Sequence, residues 1–173
     1  MEVQKVCLKI PVLGKIDSKA VQKAFMVWIQ KNKLPGILID VADYGHMHQG
    51  PGTVLMAHEF IFSLDEQDGI NGIRVSSRLT SDKPLASRIN ENLDLLKKGG
   101  QLLHEELGLQ IDGTRIEICV LDRLNSDANT PKILQETLAL LLPGHRLQKQ
   151  DAAREARRLP GIDLVVSPAL TLT

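Results

Sequence analysis

The stretch TVLMAHEFIFSLDEQDGINGIRVSSRL (residues 53–79) alternates between apolar and polar side chains on either side of a polar loop. Alternation with a period of two is typical of strands that bury one face. It predicts two antiparallel strands, residues 53–65 and 70–79, joined by EQDG at 66–69. Their apolar faces match only if the loop holds an even number of residues, because a slip of one residue would set arginines against apolar side chains. This register places His58 on the buried face.

The segment before this hairpin has the pattern of a strand, a helix and a second strand. Residues 3–10 alternate like a half-buried strand, and residues 34–42 form a nearly continuous apolar run. Between them, residues 17–31 carry apolar side chains at helical spacing, with Asp17 or Ser18 as the N-cap. A helical connection of this length usually makes the two strands parallel, so we expect a parallel pair here.

The second half of the chain predicts further helices and strands. The longest helical pattern, residues 81–108, contains Gly99 and Gly100, which predict a kink or two separate helices. A strand at 114–124 and a helix at 129–144 follow. The tail, residues 145–173, predicts a short helix at DAAREARR (151–158) and one more strand, which Pro168 cuts.

Together these patterns predict a single globular domain over residues 1–173. Its expected class is α/β to α+β, a two-layer domain with a mixed sheet of five or six strands and helices mainly on one face. The chain has 21 basic and 21 acidic side chains, so its formal net charge is zero. That balance argues against a nucleic-acid partner, because such binding depends on clustered positive charge.

The expected location is the cytoplasm. The first residues, MEVQKVCLKIPV, lack the apolar core of a signal peptide, and no run approaches the roughly twenty apolar residues of a membrane span. Cys7 and Cys119 lie in apolar, strand-like runs without the spacing of a metal or redox motif. We therefore expect a soluble protein with two free, buried thiols in a reducing compartment.

The most unusual segment runs from residue 40 to residue 59. His46 and His48 follow a strand directly, and side chains two apart in an extended chain point the same way. With Glu59 as a third partner they suit a divalent metal such as zinc, iron or manganese. The competing interpretation is a turn whose histidines face water. Asp40 stands inside an apolar strand, where a buried carboxylate needs a partner and often has a shifted pKa.

Two further groups near this segment suggest an anion. Gly50 and Gly52 flank a proline and could turn backbone N–H groups inward as an anion nest, although a sharp turn needs the same residues. The lysine of a nucleotide phosphate loop is absent. Arg74 and Arg78 are expected on either side of Glu59, as a clamp for an anionic ligand or as a solvated ladder of ion pairs.

These residues support two functional hypotheses. In the first, residues 40–59 form a small-molecule or metal site, with Glu59 and Asp40 as catalytic carboxylates, His46 and His48 as metal ligands, and metal-assisted hydrolysis or proton transfer as the reaction. In the second, the protein is a non-enzymatic assembly or regulatory module that binds a protein partner or a second copy of itself.

Overall fold

The computed structural model describes residues 3–150 and 159–172. In that part of the chain, nine strands and three α-helices follow one another in the order β1 (Val6–Leu13), α1 (Ser18–Gln30), β2 (Leu38–Asp43), β3 (Thr53–Ala57), β4 (Phe60–Asp65), β5 (Gly72–Ser77), α2 (Leu85–Leu107), β6 (Gln110–Ile111), β7 (Arg115–Val120), α3 (Thr130–Leu141), β8 (Arg146–Lys149) and β9 (Gly161–Ser167).

The strands form one antiparallel sheet in the order β2-β3-β4-β5-β1-β7-β9-β8, with the short β6 paired to the end of β1. The prediction of a mixed sheet of five or six strands is therefore wrong. The expected parallel pair, β1 and β2, is separated by three strands. Helix α1 carries the chain to the far edge of the sheet, and β2 to β5 then return toward β1 as successive antiparallel neighbours.

One face of the sheet carries the apolar core. Leu55, Phe62, Val75 and Leu8 are successive cross-strand partners, and partners in a ladder point to the same face. The register continues from Leu8 through Ile118 to Ile162. The helices cover this face, and their buried side chains join the same core cluster. Its largest members are Phe25 and Trp28 of α1, whose rings lie with that of Phe62 at centroid distances of 4.9–5.7 Å.

The stretch 53–65 is a hairpin rather than one strand. It turns at His58 and Glu59, so that Met56 pairs with Ile61, and both turn residues are exposed. The placement of His58 on the buried face is therefore wrong. The sequence predicted a loop of four residues, an even number, before β5. The loop between β4 and β5 has six residues, 66–71, so its length differs but is still even. An even number keeps Phe62 opposite Val75 on the core face.

Helix α2 runs without interruption through Gly99 and Gly100, so the predicted kink is wrong. Both glycines are buried against the sheet. The helix ends at Gly108, whose φ of 67° is the left-handed conformation that favours glycine at a helix end. Strand β9 ends directly before Pro168, as predicted. The predicted helix 151–158 lies outside the described residues.

Cys7 and Cys119 are not free thiols. They are direct partners across β1 and β7, with Cα atoms 5.2 Å apart, and their sulfurs form a disulfide. The pattern of each strand placed its cysteine in the sheet but did not indicate that β1 and β7 are neighbours. None of the helices in residues 3–150 and 159–172 combines the length and apolar character required to cross a membrane.

Candidate functional site

The two histidines of the predicted metal site are far from Glu59. His46 and His48 lie in the exposed turns between β2 and β3, whereas Glu59 follows the other end of β3. Five strand residues at about 3.3 Å each put roughly 17 Å between the two ends. Within residues 3–150 and 159–172, no three His, Cys, Asp or Glu side chains come together as metal ligands. The structure thus does not bring the proposed third ligand to the histidine pair.

Asp40 is exposed rather than buried. It lies on β2, an edge strand of the sheet, and its Oδ1 accepts a hydrogen bond from the backbone N–H of Val41 at 2.8 Å. The expectation of a buried carboxylate is wrong because β2 packs through its other residues, such as Val41. A carboxylate in this position covers a backbone donor at the sheet edge, a protection that edge strands often carry.

Gly50 and Gly52 hold the loop between β2 and β3 closed. The N–H of Gly50 donates to the Met47 carbonyl, and the carbonyl of Gly52 accepts from Tyr44 N–H at 2.8 Å. Gly52 has a φ of 64°, and a Cβ there would stand 2.0 Å from the carbonyl oxygen of Leu64. Glycine at 52 is therefore required by backbone packing. The Gly50 N–H already has a protein acceptor, so it is not left for an anion.

The two arginines do not flank the Glu59 carboxylate, although the backbone N–H of Arg78 donates to the carbonyl of Glu59 at 2.9 Å. Arg78 donates from Nη1 to the Ala57 carbonyl at 2.5 Å, which fixes it to the end of β3. Arg74 lies on the sheet face opposite the helices, where its guanidinium contacts Asp65, Gln67 and Cys7 Sγ. The predicted Glu59 ladder depended on an uninterrupted strand through 53–65, and the turn at 58–59 removes it.

A buried charged cluster on that open face was missed from the sequence. Asp65 is 1% exposed and forms ion pairs with Lys9 and with Arg74, at 3.3 Å for the latter. Burial raises the pKa of Asp65, although both cations oppose the shift. Alternation places Lys9 and Cys7 on the same face of β1, but it does not indicate that charged side chains are buried there. The contacts are those of a structural ion cluster.

A concavity lies at the end of the sheet that holds Glu59. Its volume is about 340 Å³, and it opens between the β3–β4 turn, the segment after β5 and the first half of α2. Apolar and polar side chains share its wall: Pro35, Gly36, Glu59, Phe60, Ser77, Leu79, Thr80, Ser81, Lys83, Arg88, Glu91, Asn92 and Leu95. Of the residues predicted as a site, Glu59 alone is in this wall.

The charged side chains of the cavity differ in their ion pairs and hydrogen bonds. Lys83 pairs with Glu91 at 2.6 Å, and that hydrogen bond and charge, with a smaller contribution from Glu59, raise the pKa of Lys83. Arg88 is 4% exposed and donates to the carbonyls of Lys83 and Val3. The carboxylate of Glu59 makes no ion pair and no hydrogen bond with residues 3–150 and 159–172.

Asn92 also has unused hydrogen-bonding capacity in the cavity. It is 5% exposed, and its Nδ2 donates to the carbonyl of Val6 at 3.4 Å. Its Oδ1 accepts no hydrogen bond from any described residue. Arg88, Asn92 and Leu95 follow one another at helical spacing on α2, which puts two polar side chains on a buried stripe. Polar residues at buried helical positions are thus the feature of the sequence that could have indicated this cavity. The helical pattern alone does not distinguish them from other residues of the helix.

No protein-family model matches this chain, and none of the curated proteins is significantly similar to it in sequence.

Proposed function

We propose that this protein binds a small organic molecule in the cavity between the β3–β4 turn and helix α2. The observation that carries the proposal is the size and lining of this cavity. Pockets for small molecules range from about 300 to 1,000 Å³ and combine an apolar wall with a few polar groups. Here Phe60 and Leu95 supply buried apolar wall, and Glu59 and Asn92 supply polar groups.

The wall of the cavity is largely preformed. Arg88, Asn92 and Leu95 are buried residues of one helix, and Phe60 begins a strand in the sheet. The hydrogen bonds of Arg88 and Asn92 to Val3 and Val6 tie this part of α2 to the start of β1. A site on rigid elements loses little conformational entropy when it binds, which favours recognition of one shape.

Within this proposal Glu59 keeps the acid–base role expected from the sequence. Its carboxylate is exposed at the cavity and is not consumed by an ion pair with the described residues. A carboxylate within hydrogen-bond reach of a bound molecule can accept or return a proton. Any reaction is therefore proposed as a proton transfer at Glu59, and Asp40, on the edge strand, has no part in it.

A fragment library screened by ¹H–¹⁵N NMR tests the binding proposal. We expect hits to shift the amides of Glu59, Ser77, Thr80 and Leu95 together. Ser77→Trp, which fills the cavity, should abolish these shifts, whereas Ser126→Trp, at a half-buried position outside the cavity, should keep them. Hits that shift other surfaces only, or that bind Ser77→Trp unchanged, would contradict the proposal.

A second candidate function is assembly through the sheet edge. Ile37, directly before the edge strand β2, and Ile39, within it, are 69% and 53% exposed. Exposed apolar side chains on an edge are typical of surfaces that pair with another chain. Light scattering after size-exclusion chromatography tests this candidate: a dimer or larger species that Ile39→Lys dissociates would favour it, and a monomer at all concentrations would reject self-assembly.

A further inference from the structure

We infer that the molecule bound in this cavity carries an ammonium-type cation on an apolar body, and that Glu59 and Asn92 receive its N–H groups. The inference rests on the proposed function, because it specifies the ligand of the same cavity. It follows from which charges and hydrogen-bonding atoms of the wall the protein itself already uses.

The two cations of the wall are already engaged. Lys83 Nζ donates to Glu91, and the Arg88 guanidinium donates to the carbonyls of Lys83 and Val3. Arg88 is also buried, so it cannot turn toward a ligand without leaving those carbonyls unsatisfied. An anionic ligand would have to share Lys83 with Glu91 and compete with two backbone carbonyls for Arg88.

Two acceptors of the wall receive no hydrogen bond from the described residues. The Glu59 carboxylate has no hydrogen-bond donor among residues 3–150 and 159–172, and this exposed residue lines the cavity. Deeper in the wall, the donor side of the Asn92 amide is turned to the carbonyl of Val6. The Oδ1 of this nearly buried side chain is therefore the atom left for a ligand. A carboxylate and an amide oxygen together favour a cationic group with several N–H donors.

The rest of the wall selects the body of the ligand. Pro35, Phe60, Leu79 and Leu95 contribute apolar surface beside the two acceptors. A compact hydrocarbon or aromatic body can bury there and release water, while its charged end remains near Glu59. The hydroxyl groups of Ser77 and Thr80 can donate or accept and so add no charge preference.

Three matched probes test the inference: 4-phenylbutylamine, 4-phenylbutanol and 4-phenylbutyrate, which share one body and differ in charge. Each is titrated into the ¹⁵N-labelled protein, and the dissociation constant is taken from the shifts of cavity amides. We expect the amine to bind at least about ten-fold more tightly than the alcohol, since a hydrogen bond to a charged group is worth a factor of ten or more. The carboxylate should bind most weakly.

Substitutions test which residues of the wall cause the tighter binding of the amine. Glu59→Gln should bring the amine close to the alcohol, and Asn92→Leu should weaken the amine more than the alcohol. Glu136→Gln, an exposed carboxylate on α3 outside the cavity, should change none of the three constants. Because Asn92 is buried, thermal unfolding of its variant is measured alongside, and Glu59→Gln carries the test if that variant does not fold.

The outcomes separate the inference from the proposed function. Equal or tighter binding of the carboxylate at cavity amides, or amine binding that Glu59→Gln leaves unchanged, would overturn the cationic assignment while retaining the cavity as a binding site. Failure of all three probes to shift cavity amides would count against the proposed function itself.

Discussion

Gly99 of helix α2 lies directly against the ring of Phe62 in strand β4. A Cβ placed on Gly99 would stand 2.3 Å from both Cε2 and Cζ of that ring. The glycine therefore lets the helix backbone approach the sheet over the aromatic cluster of the core. This close approach explains why Gly99 occurs in the middle of a continuous helix, where the helix propensity of glycine alone would be unfavourable.

We expect Gly99→Ala to lower the free energy of unfolding by about 2 kcal/mol, because overpacking against Phe62 outweighs the gain of about 1 kcal/mol in helix propensity. Gly100→Ala is the matched control, since its nearest neighbour is the flexible Cδ1 of Ile73 at 3.3 Å. That variant should stay within about 1 kcal/mol of wild type. Urea denaturation measures both, and equal effects of the two substitutions would refute the packing explanation.

The disulfide between Cys7 and Cys119 should contribute strongly to stability because it closes a loop across 112 residues. Reduction is expected to lower the free energy of unfolding by about 5 kcal/mol, the size of the chain-entropy effect for such a loop. Guanidinium denaturation with and without reductant measures the change. A Cys7→Ser/Cys119→Ser protein should be insensitive to reductant, and two freely titrating thiols in native, oxidised protein would contradict the assignment.

Removal of Asp65 should be costly because it leaves Lys9 and Arg74 without their buried counter-charge. We expect Asp65→Ala to destabilise the protein by about 3–5 kcal/mol. Glu136→Ala, which breaks an exposed pair with Lys132, should cost less than about 0.5 kcal/mol. Thermal and urea unfolding compare the two, and a loss at Asp65 as small as that at Glu136 would show that the cluster does not stabilise the fold.

Asp122 should make stability depend on pH. Burial alone would raise its pKa, but the Asn125 side chain and the backbone N–H groups of Gln4 and Lys5 lower it below 3.8. A carboxylate with a lowered pKa in the folded state contributes stability that is complete above about pH 3.8 and is lost as pH falls through its folded value.

Asp122→Asn should therefore cost about 1–2 kcal/mol at pH 7, and the difference from wild type should shrink as the pH falls below about 4. Asp94→Asn, on the exposed side of α2, removes a charge without removing a backbone contact and serves as the control. Urea denaturation between pH 3 and pH 7 measures both proteins. A difference that stays constant over this range would exclude the hydrogen-bonded carboxylate as its source.

Local patterns in the sequence predicted which face of the sheet a side chain lies on better than they predicted which strands are neighbours. The alternation in 60–77 placed Phe62 and Val75 on the same face of the sheet, although the predicted four-residue loop would have paired Phe62 with Ile73. Of the two predicted caps of α1, Asp17 and Ser18, the structure uses Asp17 through its Oδ1. Periodicity does not encode which strands pair over long distances, so the neighbours of β1 and the disulfide to Cys119 were not predictable from it. The sequence pattern did not predict the turn at His58, because the residues around it are apolar enough to continue a strand.

The same limit applies to the functional residues: local patterns do not predict which distant segments of the chain come together. The density of histidines and glycines predicted a site in residues 40–59. That segment runs from one end of the sheet to the other, so its residues do not form one site. The cavity is assembled from the β3–β4 turn, the end of β5 and α2, whose contributions are distant in sequence. Glu59 was identified because it is a carboxylate beside the histidines, whereas Asn92 was overlooked on a helix with a clear apolar stripe.

The most direct test of the central claim is a crystal structure of the protein soaked with mixed cocktails of small organic fragments. Fragments are expected to concentrate in the cavity lined by Glu59, Asn92 and Leu95, with N–H groups toward the first two residues. Fragments distributed over other surfaces while this cavity holds none would contradict the claim that it is the binding site of the protein.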